Sequence, residues 1–316
     1  MHPQMAVLQQ PIADKAGTAA AGRMGSMLAE LRELWDFREL LYALVERDIR
    51  IRYKNSIFGF LWSFLNPLAT TVVMTVVFGK LLDNHVNNFS AYVLAVYLPY
   101  LFFQQSVMDS AQSVLGSIQI VKKIYFPREL LPLSLVISNF IHLVLGYGVF
   151  FLLLLVTYIA HPQVIPFQWT TIYLPILLVI SLVLATGMSF LISALNTFYE
   201  DVKYMVGVAF YLMFFLCPVM YFIEMVANSS VVRHRPWLFK LYNLNPVADL
   251  SVAYRKILVA PTKISVPGYK PGTTMAVDPM PLDWNWVAYS AIFSVVILIV
   301  GYSVFRKLKW RFVERV

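Results

Sequence analysis

The chain has 316 residues, of which 59% are hydrophobic and 13% are charged, and its formal net charge is +8. A soluble domain carries about 25% charged residues, so this composition argues strongly against a water-soluble enzyme. The 23 Phe, 18 Tyr and 7 Trp exclude disorder. The single cysteine, Cys217, excludes an intrachain disulfide and a cysteine-based metal cluster. The composition indicates a helical membrane protein with several spans.

The N-terminal segment precedes the first apolar stretch. Residues 1–27 have no apolar core of a cleaved signal peptide, and we expect a disordered tail there. Residues 28–54 place apolar side chains such as Leu34, Leu41 and Val45 at helical spacing, with charged side chains on the other face. This pattern predicts an amphipathic helix on the inner membrane surface. A helix packed on a soluble partner is the alternative.

Stretches without Asp, Glu, Lys or Arg locate the spans. One crossing needs about 20 mostly apolar residues, and four stretches of 20 to 25 residues each hold one helix. The stretch 130–199 holds two, because Pro162 and Pro166 divide it. Asn66-Pro67 and Cys217-Pro218 should kink their helices. The predicted spans are 58–82, 91–113, 132–160, 171–197, 204–223 and 284–305.

The positive charges orient these six spans. An even number puts both termini on one side, and 17 of the 25 Lys and Arg lie on that side. The positive-inside rule predicts that both termini are cytoplasmic. The outer segment 224–283 carries seven Lys or Arg, but long loops translocate largely regardless of charge. The net charge fits this topology and attraction to anionic lipid, and it predicts no nucleic-acid partner.

Two segments outside the predicted spans have a composition that indicates a function beyond connecting the helices. The cytoplasmic loop 117–129 combines three cations with bulky apolar residues, which indicates a docking surface for another protein or a simple basic connector. In the outer segment, Asn245 and Pro246 predict a helix start, with an apolar face that continues to Leu258. This helix is interpreted as a flap over the exit of a pathway or as a strut lying on the membrane.

Span 2 carries a polar stripe. Gln105, Asp109 and Gln112 share one helix face and must point away from lipid. They could line a cytoplasmic entrance or bond to neighbouring helices. His142, in span 3, has no metal-ligand spacing, and we interpret it as a packing residue.

Several motifs resemble the permease subunits of ABC-2-type polysaccharide exporters. The similarity begins at Leu44–Lys54 and Gly59–Pro67, and it continues in Val121–Pro132, Asn196–Lys203 and Tyr242–Pro246. It covers about residues 30–316, and the extended N-terminus and the stretch 260–283 depart from it. The resemblance implies a homodimer with six spans per subunit and two copies of a separate ATPase subunit. It also implies export of lipid-linked O antigen, capsule or teichoic acid across the bacterial inner membrane.

The resemblance gives roles to particular residues. The chain has no Gly-x-x-x-x-Gly-Lys-Ser/Thr motif, so we expect ATP and Mg²⁺ to bind the partner ATPase and this chain to hold no cofactor, metal or catalytic residue. Coupling to the ATPase is assigned to Ile120, Lys122, Lys123, Ile124, Tyr125, Phe126, Arg128, Glu129, Glu200, Asp201 and Lys203. The outer gate is assigned to Asn245, Pro246, Tyr254 and Arg255.

Aromatic rings suit a sugar pathway, because they offer flat contact surfaces to the apolar faces of sugars. The candidate lining residues are Trp62, Phe64, Gln105, Asp109, Gln112, Tyr211, Phe214, Phe215, Tyr221 and Phe222. The alternative is that these aromatic side chains face lipid, where membrane helices are also rich in them.

Two other classes of function compete with this interpretation. A membrane glycosyltransferase or ligase would act on the same lipid-linked glycans, but it needs paired acid and base residues that the outer loops do not show. An ABC-2 permease for a small drug or lipid would share the fold. Only the loop sequence Tyr-Phe-Pro-Arg-Glu, residues 125–129, favours a polysaccharide.

Overall fold

The computed structural model describes residues 32, 34–81, 88–117, 126–160, 168–261, 264–267 and 274–312. Five helical segments in these ranges are long and apolar enough to cross a membrane, so the predicted all-α membrane fold is confirmed. An antiparallel pair of short strands, Ile264–Pro267 and Thr274–Val277, is an unpredicted addition in the outer segment. Spans 1, 2, 3, 4 and 6 contain, in order, the helices Trp62–Met74, Phe89–Ala111, Leu130–Ala160, Leu174–Phe198 and Trp284–Leu308.

The segment predicted as span 5 forms a shorter helix than expected. Val202–Leu216 has 15 residues, fewer than the roughly 20 that one crossing needs. Cys217 adopts an extended backbone before Pro218, so the helix ends there instead of continuing through a kink. The expected helical end at residue 223 is wrong, and the count of six spans stays a prediction.

Shorter elements complete the chain. Tight 3₁₀ turns occur before span 1, before span 4 and after span 6, and span 1 ends in a π-helical segment. The last long helix of the outer segment, Pro246–Leu258, is called the gate helix below. The N-terminal helix is Arg38–Tyr53. The 3₁₀ turns are Gly59–Leu61, Trp169–Tyr173 and Lys309–Arg311, and the π-helical segment is Thr75–Leu81. The other short helices are Ser113–Gly116, Ile223–Ala227, Ser230–His234 and Trp237–Asn243.

The main core lies between spans 2, 3 and 4 and the gate helix. A second cluster, at the end of the spans predicted to be cytoplasmic, joins Leu44 of the N-terminal helix to Phe126, Phe305 and Phe312. The N-terminal helix packs on span 3 and buries Leu44 and Val45, whereas other large apolar side chains of this helix, Tyr42 and Ile51 among them, are exposed. The helix is therefore fixed along one face to the end of the spans that holds the second cluster.

Spans 4 and 6 approach each other at two glycines. A Cβ atom on Gly301 would overlap the carbonyl oxygen of Gly187, and one on Gly187 would lie 2.5 Å from the backbone nitrogen of Leu298. Small residues let membrane helices pack backbone to backbone, so both positions exclude any larger residue.

Replacing Gly301 with alanine should destabilise the protein by about 2 kcal/mol, because two backbones must separate to admit the methyl group. The measurement is thermal unfolding of the purified protein. Gly148→Ala is the matched control, since nothing lies within 4 Å of its Cβ position. Alanine there should be neutral or stabilising by up to about 1 kcal/mol. Equal unfolding temperatures for the two variants would contradict the close approach.

Candidate functional site

The predicted coupling surface is described only in part. Residues 118–125 lie outside the described residues, so the predicted contacts Ile120, Lys122, Lys123, Ile124 and Tyr125 have no assigned position. The end of the loop is described and is buried. Phe126 is only 6% exposed and belongs to the cytoplasmic core, so the expectation that its ring faces a partner is wrong.

Glu129 is likewise a buried residue rather than a surface contact. It is 2% exposed, and its Oε1 accepts a hydrogen bond at 2.6 Å from Nζ of Lys309, just after span 6. Arg128 donates to the backbone carbonyl of Lys309. The turn after span 6 therefore holds the end of the loop 117–129 in place. Lys309 and Glu129 are 180 residues apart in the chain, and the sequence alone did not predict their contact.

The second predicted contact, after span 4, lies at the surface. Glu200 and Asp201 are exposed, and the amide of Lys203 donates to Oδ1 of Asn196 at 3.0 Å. The side-chain amide of Asn196 donates to the carbonyl of Ala111 at the end of span 2. Because spans 2 and 4 are bonded where both loops begin, the two predicted coupling segments leave the membrane side by side.

The polar stripe of span 2 divides between different neighbours. Asp109 accepts hydrogen bonds from Arg52 at 2.7 Å and from Asn139 at 3.0 Å, and Arg52 also donates to Asn139. Asp109 thus bonds to neighbouring helices, the second of the two predicted alternatives. Gln112 is exposed at the end of the span, and only Gln105 faces a cavity.

That cavity, of about 270 Å³, lies between the N-terminal helix and spans 1, 2 and 3. Trp62, a predicted path residue, is half exposed and forms part of its wall. His142 also lines it and meets Tyr53 edge to face. The remaining lining groups are mixed polar and apolar: Arg52, Ser56, Ser63, Asn66, Pro67, Leu98, Leu101, Phe102, Gln105, Asn139 and Leu143.

A larger groove of about 570 Å³ separates span 1 from the helix Val202–Leu216. Three of the residues predicted to line the path, Phe214, Phe215 and Tyr221, line this groove. A fourth, Tyr211, is exposed beside Phe215. The remaining walls come from Val73, Met74, Val77, Phe78, Met220 and Met225. Phe64 is half-buried on span 1 and lines neither this groove nor the cytoplasmic cavity.

Phe222 lies outside the groove along span 1. It is 3% exposed, and its ring lies 4.1 Å from that of Tyr92 and under the guanidinium of Arg255. The helix ends at Cys217, between Phe215 and Phe222, so the two rings do not share one helix face, and a place for Phe222 on the path stays a prediction.

The gate helix is buried rather than lying on the surface. Asn245 caps its N-terminus by accepting from the amide of Val247, as predicted. Tyr254 is fully buried, stacks on Tyr147 of span 3 and shares a hydrogen bond with Ser181 of span 4. This burial does not fit a strut lying on the membrane, and the interpretation as a flap over the exit of a pathway stays a prediction. It fills the space among the outer ends of the spans.

An ion pair fixes the gate helix at its C-terminal end. Arg255 donates to both carboxylate oxygens of Glu224 at 3.0 Å, and to the hydroxyl of Tyr92 at 3.0 Å. The backbone amide of Met280 also donates to Glu224. Arg255 was predicted as a gate residue, but Glu224 and Tyr92 were not. In the sequence, Glu224 stands out only as an isolated carboxylate directly after a predicted span, and nothing marks Tyr92 as its neighbour.

Within the described residues, no three His, Cys, Asp or Glu side chains form a group that could hold a metal ion. The described sites are thus the surface at Glu200 and Asp201, one cavity beside the N-terminal helix, a groove along span 1, and the buried gate helix.

The pattern of the ABC-2 type transporter family matches residues 39–259, more than half of the chain. The chain belongs to the ABC-2 type transporter family. This ABC-2 permease is thus a multi-pass membrane transport subunit, works with a separate ATP-binding subunit, and is not an enzyme. The family match excludes the alternative of a membrane glycosyltransferase or ligase.

The permease also resembles individual proteins along nearly its whole length. It is 29% identical over 268 residues to the O-antigen export system permease protein RfbA of Myxococcus xanthus, covering 85% of this chain and 96% of that protein. It is 26% identical over 276 residues to the protein of the same name from Klebsiella pneumoniae, covering 87% of this chain and 94% of that protein.

Proposed function

We propose that this permease is the transmembrane subunit of an exporter that moves lipid-linked O-antigen polysaccharide across the bacterial inner membrane. The observation that carries the proposal is the similarity to the two RfbA permeases over 94% and 96% of their lengths. Export of capsule or teichoic acid by the same fold is the second candidate, and the loop Tyr125–Glu129 is common to both.

The exposed apolar surface supports a homodimer. Span 1 is the least buried of the five long spans, and Phe215 and Leu216 are more than half exposed on the facing helix. A second copy placed against this groove would turn an open aromatic surface into an enclosed path, where rings can contact sugar faces. We propose that both termini are cytoplasmic and that two ATP-binding subunits contact the loops beside spans 2 and 4.

The test is deletion of the gene in its native bacterium. We expect lipid-linked polymer to accumulate on the cytoplasmic face and O antigen to disappear from the cell surface, because synthesis continues without export. Re-expression of the intact chain is the control. Loss of capsule with intact O antigen would assign the cargo to the second candidate, and normal surface polysaccharide would contradict both.

A further inference from the structure

A cavity of about 390 Å³ lies beside the ion pair of Glu224 and Arg255, and the path and coupling residues described above do not account for it. It is enclosed by the gate helix, by the residues just before span 4, and by the stretch before span 6. Polar groups converge on it from Gln168, Thr170, Glu224, Arg255 and Lys256. Val259, Met280 and Leu282 supply apolar wall.

The side-chain carboxylate and amide oxygens around this cavity have donors within hydrogen-bond distance. Both oxygens of Glu224 accept from Arg255, and Oε1 of Gln168 accepts from the hydroxyl of Thr170 at 3.1 Å. The groups left over are donors. The side-chain nitrogen of Gln168 is buried without a hydrogen-bond partner, and the ammonium of Lys256 donates to the carbonyl of Pro281 at 2.9 Å, which occupies one of its three donors. A buried donor without a partner calls for a ligand that supplies acceptors.

The charge of the cavity favours an anion. Glu224 and Arg255 neutralise each other, which leaves the ammonium of Lys256 as the remaining charge among the lining side chains. Burial, with the neighbouring Arg255, lowers the pKa of Lys256 to about 8, against the opposing effect of Glu224 and Asp283. An anion beside Lys256 would stabilise the charged ammonium and raise its pKa.

The position of the cavity identifies the source of the anion. Trp169, next to Gln168, is 96% exposed, and Trp284 begins span 6 just beyond the cavity wall. Tryptophan concentrates at the level of lipid headgroups, so the cavity lies where phosphate groups of the outer leaflet are found. An apolar wall beside donors suits a lipid, which joins a phosphate to an acyl chain.

We propose that this cavity binds the phosphate of an anionic phospholipid of the outer leaflet, with Lys256 and Gln168 as the donors. The apolar wall contacts the glycerol and the first acyl carbons. The bound lipid joins the gate helix to the segments before spans 4 and 6. This inference does not depend on the identity of the exported cargo.

The experiment measures binding of dihexanoylphosphatidylglycerol to the purified permease–ATPase complex by native mass spectrometry. Lys256→Gln should weaken binding about tenfold, since a charge-assisted hydrogen bond is lost, and Gln168→Leu should weaken it about threefold. Lys240→Gln is the matched control, because Lys240 is an exposed outer lysine away from the cavity. It should leave binding unchanged. All variants should keep the unfolding temperature of the unmodified complex when no lipid is added.

Three outcomes would overturn the proposal. Unchanged binding in both cavity variants would show that the lipid binds elsewhere. Equal weakening by Lys240→Gln would show attraction to surface charge alone. Inorganic phosphate that competes with the same affinity as the lipid would assign the cavity to a free anion instead of a lipid headgroup.

Discussion

Replacing Arg255 with alanine should destabilise the permease by about 3–5 kcal/mol, because it leaves a carboxylate buried without its cation. Glu224 is fully buried and Arg255 is 6% exposed, so water cannot replace the lost partner. The variant also removes a donor to Tyr92 and the cation that lies over the rings of Tyr92 and Phe222, both at 5.2 Å. The gate helix should consequently loosen from span 2.

Thermal unfolding of the purified protein and protease sensitivity of the outer segment would measure this effect. Replacing Arg255 and Glu224 together by methionine should recover most of the loss, because a buried ion pair exchanged for apolar side chains is often neutral in stability. Arg235→Ala is the control, since Arg235 is exposed on the same outer segment. A single Arg255 variant as stable as this control would contradict the assignment.

The sequence predicts the parts of this fold that depend on local properties. The apolar windows locate the spans because each crossing must be apolar along its own length. The cap at Asn245 follows from the residue and from the proline after it, and its hydrogen bond to Val247 is local. The helix end at Cys217 shows the limit of such local prediction. Pro218 predicts that the helix is interrupted, but it does not decide between a kink and an end of the helix.

The site depends on contacts between distant residues, which no periodicity encodes. A polar stripe requires partners for Asp109 but does not say that they are Arg52 and Asn139. An amphipathic pattern predicts one buried face for the gate helix, whereas the packed spans cover its polar residues as well. Arg255 pairs with Glu224, which lies 31 residues away in the chain, and Glu129 pairs with Lys309, which lies 180 residues away. Such pairs are consequences of the fold and become visible only with it.

The turn after span 6 should matter for coupling to the ATP-binding subunit. Lys309 pairs with Glu129 at the end of the first coupling loop, and the second carboxylate oxygen of Glu129 is buried without a hydrogen bond among the described residues. Phe312 is 2% exposed and packs on Phe198, which lies just before the second coupling loop. One short turn therefore contacts the ends of both loops that we assign to the ATPase.

Replacing Lys309 with alanine should cost about 3 kcal/mol, since Glu129 would stay buried without its cation, and should uncouple transport from ATP hydrolysis. The measurements are thermal unfolding, co-purification of the ATP-binding subunit, and the ATPase rate of the complex. Lys307→Ala is the matched control, because Lys307 is exposed two residues away. The double exchange Glu129→Lys with Lys309→Glu should restore part of both properties, because it rebuilds the pair with reversed charges. A Lys309→Ala complex with normal stability and normal coupled ATPase activity would show that the turn does not position the loops. Lost stability with normal coupling would limit its role to the fold, since the loops would then reach the ATPase without it.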